Sequence, residues 1–251
     1  MNNKGPLVAA LIVAAVAAVG IYGARTFLKP APPAEGMASG PADEAPALPS
    51  NLPPLEESDD LVRARAAGLS AEPAFREWLK LESLIPRLAS AMNMIANGAV
   101  PRETFAAFAP RGKFRVIKKE GRIFADPASF ARYDAFAGLV SRVDAVAAAR
   151  LFEELMPLFD AAQRGLGEKN ASARSAFFAA AGELLDLPVV EGEIPLKEGK
   201  KGIGWAYAED RLEIQSPARK QLMRMGPKNQ ALVQAKLRAV LLALGAADLK
   251  P

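Results

Sequence analysis

The chain has 251 residues, enough for one ordinary domain or two small ones, and its 51 % apolar and 24 % charged residues fit a globular protein rather than a disordered one. It contains no cysteine and no histidine, which excludes disulfides, thiolate or imidazole metal sites and every Ser-His or Cys-His nucleophile. The net charge of +4 conceals a partition: residues 30–60 carry seven acids and no base, whereas from Leu61 onward 29 bases face 21 acids.

The first element is Gly5–Ala24, twenty uncharged residues between Lys4 and Arg25. As a helix it would be about 30 Å long, matching a bilayer's hydrocarbon core. Leu7, Val8, Leu11, Ile12, Val13, Val16, Val19 and Ile21 each favour insertion by roughly 0.3–0.6 kcal/mol. A cleaved signal peptide is the competing reading, with a small-residue pair at Ala18 and Gly20. Signal-peptide apolar cores, however, usually run only about 7–15 residues. Residues 1–29 are therefore read as a single transmembrane anchor with short flanks. The flanking charges are nearly balanced, and a four-residue head leaves the large C-terminal part as the working, extracytoplasmic side.

Residues 30–54 hold eight prolines among many alanines, with several acids. Such a segment cannot bury enough apolar surface to fold and is read as a disordered tether. Residues 55–248 then form the body, expected to be mainly α, a helical bundle-like domain with one or two small β-hairpins.

In chain order, Ser58 or Asp59 caps a first helix that ends near Gly68. A longer helix runs from Glu72 to about Ala96 with Phe75, Trp78, Leu79, Ile85, Leu88, Met92 and Ile95 on its apolar stripe, kinked or divided at Pro86. Pro101 opens a short helix that Pro110 ends. Alternation about Glu120-Gly121 predicts a hairpin over Phe114–Ala125. Asp126-Pro127 is a cap-plus-proline helix start, with Phe130, Tyr133, Ala137 and Val140 on one face. Asp144 starts the next helix, which reaches about Leu166; another covers Ser172–Leu187. Residues 189–214 are turn-rich, with a hairpin through Glu198-Gly-Lys-Lys-Gly and a strand at Ile203–Tyr207. Ser216-Pro217 and Gly226-Pro227 start the last two helices.

Several short motifs occur in order: Leu52-Pro-Pro-Leu-Glu-Glu-Ser-Asp, Arg132-Tyr-Asp, Leu151-Phe, Met156-Pro-Leu-Phe, Arg224-Met-Gly-Pro-Lys-Asn and Ala235-Lys-Leu-Arg. Through them the chain, over about residues 52–245, resembles a bacterial membrane-anchored family known only as a domain of unknown function, number three thousand and fourteen. The resemblance implies an N-terminal anchor and a Pro-rich tether, hence an inner-membrane location, but no activity. Ala208-Glu-Asp-Arg departs from it by lacking a proline after the Asp, which leaves the turn after Tyr207 open.

The candidate site is Arg224, Lys228 and Asn229 at the junction of the last two helices. There the free N–H groups of residues 228–230 would favour a phosphate or carboxylate. The plainer reading pairs Arg224 with an acid, for which Asp134 is the candidate. Arg132 and Tyr133 could belong to a binding triplet, although Tyr133 falls on the apolar stripe. Glu153, Glu154 and Asp160 offer paired carboxylates, but on an amphipathic helix such acids usually form a solvated face. No cofactor or metal motif is present. The C-terminal bases have no interleaved aromatics, which argues against nucleic acid. An anionic envelope component or another envelope protein is the expected partner. An enzyme using carboxylate or lysine chemistry in an interhelical cleft is the alternative.

Overall fold

The structure, a computed structural model, describes residues 48, 51–68, 70, 72–167, 172–199, 202 and 204–246. The anchor stretch lies outside the described residues; among them no helix is long and apolar enough to cross a membrane. Leu48 and Leu52, from the segment read as tether, pack against the core.

The first three helices are α1 (Asp59–Ala66), α2 (Pro73–Trp78) and α3 (Leu84–Ala96). Asp59 does not cap its own helix. Its two carboxylate oxygens accept from the N–H groups of Ser83 and Leu84, at 2.7 and 2.8 Å, and so cap α3 from outside. That contact marks where the predicted long helix divides. The break falls at Leu79–Ser83, with Ser83 at φ 55°, and not at Pro86. Pro86 is the third residue of α3, where its missing N–H costs no intrahelical bond.

The helix expected at Pro101 is also absent. Turns lead instead to one 3-10 turn, Ala106–Phe108. The reason is local: Trp78 Nε1 donates to the Thr104 carbonyl at 2.9 Å, and the buried Phe105 ring stacks on Trp78, so this backbone is spent on covering the indole.

Two hairpins follow the expected pattern. Strands β1 (Val116–Lys119) and β2 (Arg122–Ala125) join through Glu120 and Gly121, both at positive φ, the mirror-image turn that suits strand twist. Strands β3 (Pro195–Glu198) and β4 (Trp205–Tyr207) form the second. The sequence left the hairpins separate; Ile123 opposite Leu196 and Phe124 opposite Pro195 join them into one antiparallel sheet ordered β1-β2-β3-β4.

After β2, Asp126 accepts from Ala128 N–H as a cap should, but the chain winds through two 3-10 turns, Pro127–Ser129 and Ala131–Tyr133, before α4 (Asp134–Ser141). Ser129 Oγ ties this segment to both backbone groups of Arg115 ahead of β1. Asp144 caps α5 (Ala145–Gly165) and Ser172 caps α6 (Ala173–Leu185). A short helix α7 (Asp210–Glu213) settles the open turn after Tyr207. Helices α8 (Pro217–Arg224) and α9 (Pro227–Ala243) start at the predicted cap and proline positions.

The molecule is therefore mainly helical, with a small sheet at one side. α3 lies along α6 and α5, and α9 packs on α4, α5 and α6. Between them Leu88, Met92, Phe152, Leu155, Phe159, Phe177, Leu184, Val233 and Leu237 are buried.

Candidate functional site

Where the sheet meets the end of α8, the fold leaves a pocket of about 220 Å³. Each wall has a separate origin. Phe114 leads into β1, Ala125 ends β2, and Ile194 and Leu196 come from the β3 strand region. Trp205 and Tyr207 come from β4. Phe130, Arg132 and Tyr133 come from the 3-10 turns, and Met223 and Arg224 from the last turn of α8.

The rings are held by their polar tips. Gln221 Nε2 donates to the Tyr133 hydroxyl at 2.8 Å. The Tyr207 hydroxyl donates to the Lys220 carbonyl at 3.3 Å. Arg132 donates through Nε to the Ser129 carbonyl and through Nη1 to Gly112, at 2.9 and 3.1 Å, while its guanidinium lies over the Phe114 and Tyr133 rings. These contacts fix Arg132 as part of the wall.

Arg224 is arranged differently. It is half-buried, its hydrogen-bonding neighbour is the Tyr207 phenol, and it forms no ion pair among the described residues. The nearby acid, Glu213, is already engaged: its Oε2 accepts from Tyr207 N–H at 2.9 Å and its Oε1 pairs with Lys220 at 3.0 Å. Burial opposes ionisation of Glu213, but the Tyr207 N–H, Lys220 and Arg224 outweigh it and hold the carboxyl below its ordinary value. Burial pushes both phenols up, Tyr207 well past the usual tyrosine range, against the pull of Arg224. Both hydroxyls therefore stay protonated at neutral pH. The pocket wall carries two cations, Arg132 and Arg224, and no carboxylate.

The predicted trio is not brought together. Arg224 lines the aromatic pocket, whereas Lys228 and Asn229 line a shallower hollow with Asp134 and Gly226; the Phe130 ring borders both. Asn229 is 2 % exposed, and its Nδ2 lies within hydrogen-bonding distance of the Phe130 carbonyl, Asp134 Oδ1 and the Met225 carbonyl. Gln230 N–H is spent on the Gly226 carbonyl. The anion beside this helix start is thus Asp134, supplied by the chain itself. The expected Asp134–Arg224 pair is accordingly not formed: Asp134 turns to Asn229, and Arg224 to the phenols.

Elsewhere charge is consumed internally. Arg219 pairs with Glu183 and Asp186. Glu153 pairs with Arg174 and Glu154 with Arg65, and Asp160 accepts from Ala173 N–H. Trp205, Tyr207, Phe114 and Phe130 were not anticipated as a site. By sequence Phe130 falls on a helix face and Phe114 in a hairpin, and the only sequence signal for Trp205 and Tyr207 is that they sit in a turn-rich segment with no apolar stripe to claim them.

No curated protein and no solved structure matches the chain. Residues 84–241, from the start of α3 through most of α9 and so including the sheet and the pocket, match the family described as "Protein of unknown function (DUF3014)", and the chain belongs to that family.

Proposed function

We propose that this protein is a single-pass, membrane-anchored envelope protein whose helical body is a binding module and whose working site is the aromatic pocket. The observation that carries this reading is the composition of the pocket wall. Five aromatic rings and two arginines converge there without an acid, so it offers apolar surface and positive charge but no general base. The carboxylates considered for catalysis, Glu153, Glu154 and Asp160, lie away from it in ion pairs or helix caps, which weighs against the enzymatic alternative. A broad basic face for anionic lipid has less support than the sequence offered, since Arg219 and Lys220 are neutralised by Glu183 and Glu213.

The test is photo-crosslinking in intact cells. A benzophenone side chain at Trp205 in the full-length chain is expected to give a discrete adduct. The same group at Val146, 54 % exposed on α5, should give none. Indistinguishable labelling from both positions would overturn the pocket as the working site. Recovery of the full-length chain in the soluble fraction would overturn the anchored part of the reading.

A further inference from the structure

Two groups in the pocket have hydrogen-bond donors to spare. The Tyr133 hydroxyl accepts from Gln221, yet among the described residues nothing accepts its own proton, and Tyr133 is only 3 % exposed. The Arg224 guanidinium has a phenol beside it and no carboxylate partner. A buried hydroxyl proton without an acceptor is costly, and an acceptor with negative charge would take that proton and balance the Arg224 guanidinium at once.

The second constraint is size and shape. A dry apolar hole of about 150 Å³ holds a benzene ring. The pocket of about 220 Å³ therefore takes one ring, or a branched alkyl group of that size, plus a linker of two or three atoms. Phe114, Phe130 and Trp205 supply faces for it.

The third constraint is charge. Arg132 has donors committed to Ser129 and Gly112 and lies over two rings, which leaves the planar fork of Arg224, beside the Tyr207 phenol, as the wall cation better placed to engage a ligand. A planar carboxylate matches that fork with a single charge, whereas a phosphate dianion would also call on Arg132, whose Nε and Nη1 are turned to the Ser129 and Gly112 carbonyls.

We infer that the pocket binds a monocarboxylate attached to one aryl- or branched-alkyl-sized group, with the carboxylate between Arg224 and the Tyr133 hydroxyl and the apolar group among Phe114, Phe130 and Trp205. This rests on the pocket being the working site. The chemistry is shared by a free aryl-alkyl acid and by the C-terminal residue of a polypeptide.

The experiment uses the full-length chain in lipid nanodiscs, labelled with 5-fluorotryptophan, and follows the two fluorine resonances on titration. Trp205 lines the pocket and should shift, while Trp78, 1 % exposed in the core, stays still and reports an intact fold. The probes are 3-phenylpropanoate, its amide, phenethyl phosphate, and the tripeptide Ala-Ala-Phe with a free or an amidated C-terminus. One or both free carboxylates are expected to bind at least about tenfold more tightly than the matching amide. Which of them does so identifies the source. Arg224→Gln should remove that preference, Arg224→Lys should keep part of it, and Tyr133→Phe should weaken the acid but not the amide.

Equal binding of acid and amide would overturn the carboxylate assignment while leaving the pocket a binding site. Tighter binding of the phosphate would do the same. No Trp205 shift with any probe would overturn the assignment, and crosslinking at Trp205 would then show separately whether the pocket is used at all.

Discussion

Gly226 sits at φ 81° between α8 and α9, and a Cβ built there would lie 2.5–2.7 Å from the Phe130 ring and its Cβ. Two costs add: the left-handed backbone, which L-residues resist, and a clash that reaches the Cβ of Phe130 as well as its ring, so that turning the ring alone does not relieve it. Gly226→Ala should therefore cost about 2–4 kcal/mol in urea unfolding. Because Phe130 lines the pocket, the variant should also perturb the Trp205 signal while sparing Trp78. Glu213 supports a second prediction. Its folded carboxyl is held below the ordinary value of 4.5, so its contribution to stability is complete above that value and is lost as pH falls through the lower folded one. Glu213→Gln should be less stable than the native chain near pH 7, and the two should converge as the pH falls below 4.5. Urea midpoints across that range check this; a gap that does not change with pH would exclude the linkage.

Helices were readable because their caps are local chemistry. Asp144 accepts from the N–H groups of Val146 and Ala147, at 2.9 and 3.0 Å, as a residue before an apolar periodic run should. Asp144→Ala is expected to cost about 0.5–2 kcal/mol, seen as a lower thermal midpoint. The failures share a cause, which is a partner distant in sequence. Nothing around residues 79–83 announces a break, because the cap that makes it is Asp59 on α1. Nothing near Pro101 shows that Trp78 will claim the Thr104 carbonyl. The pocket was hidden in the same way. Each hairpin is legible from its turn, but the pairing of Ile123 with Leu196 that brings Phe114, Trp205 and Tyr207 to one place is not. Arg224 was singled out for the right charge and the wrong neighbours, since helix-end logic located its backbone and tertiary packing chose where its side chain lies. Helix packing gives one more prediction at this level. Ala180, 0 % exposed on α6, belongs to a run of small side chains where α6 lies along α3. Ala180→Leu should overpack that contact and cost about 1–3 kcal/mol, whereas Ala179→Leu should cost less, Ala179 being exposed.

At the scale of the whole molecule, the proposed anchor and tether would hold a basic body near the proposed ligand. With Leu48 and Leu52 packed on the core, residues 30–47 remain as the proposed tether; as polyproline II they would reach about 55 Å, and as flexible coil about 20–25 Å. On the proposed anchor, a pocket on such a tether would sample a layer of limited depth above the membrane, where effective concentration rather than intrinsic affinity would govern occupancy. A pocket taking one ring-sized acid would bind weakly on its own, so the proposed arrangement rests on the proposed anchor. Eight strongly apolar residues within Gly5–Ala24 supply roughly 3–4 kcal/mol of insertion free energy, and no charge in that segment opposes it. The full-length chain should therefore remain in the membrane pellet after alkaline carbonate extraction, and a chain beginning at residue 30 should be released. If the truncated chain also stayed in the pellet, the basic body itself would be doing the anchoring, and extraction in high salt would then release it, because exposed charge is screened where hydrocarbon burial is not.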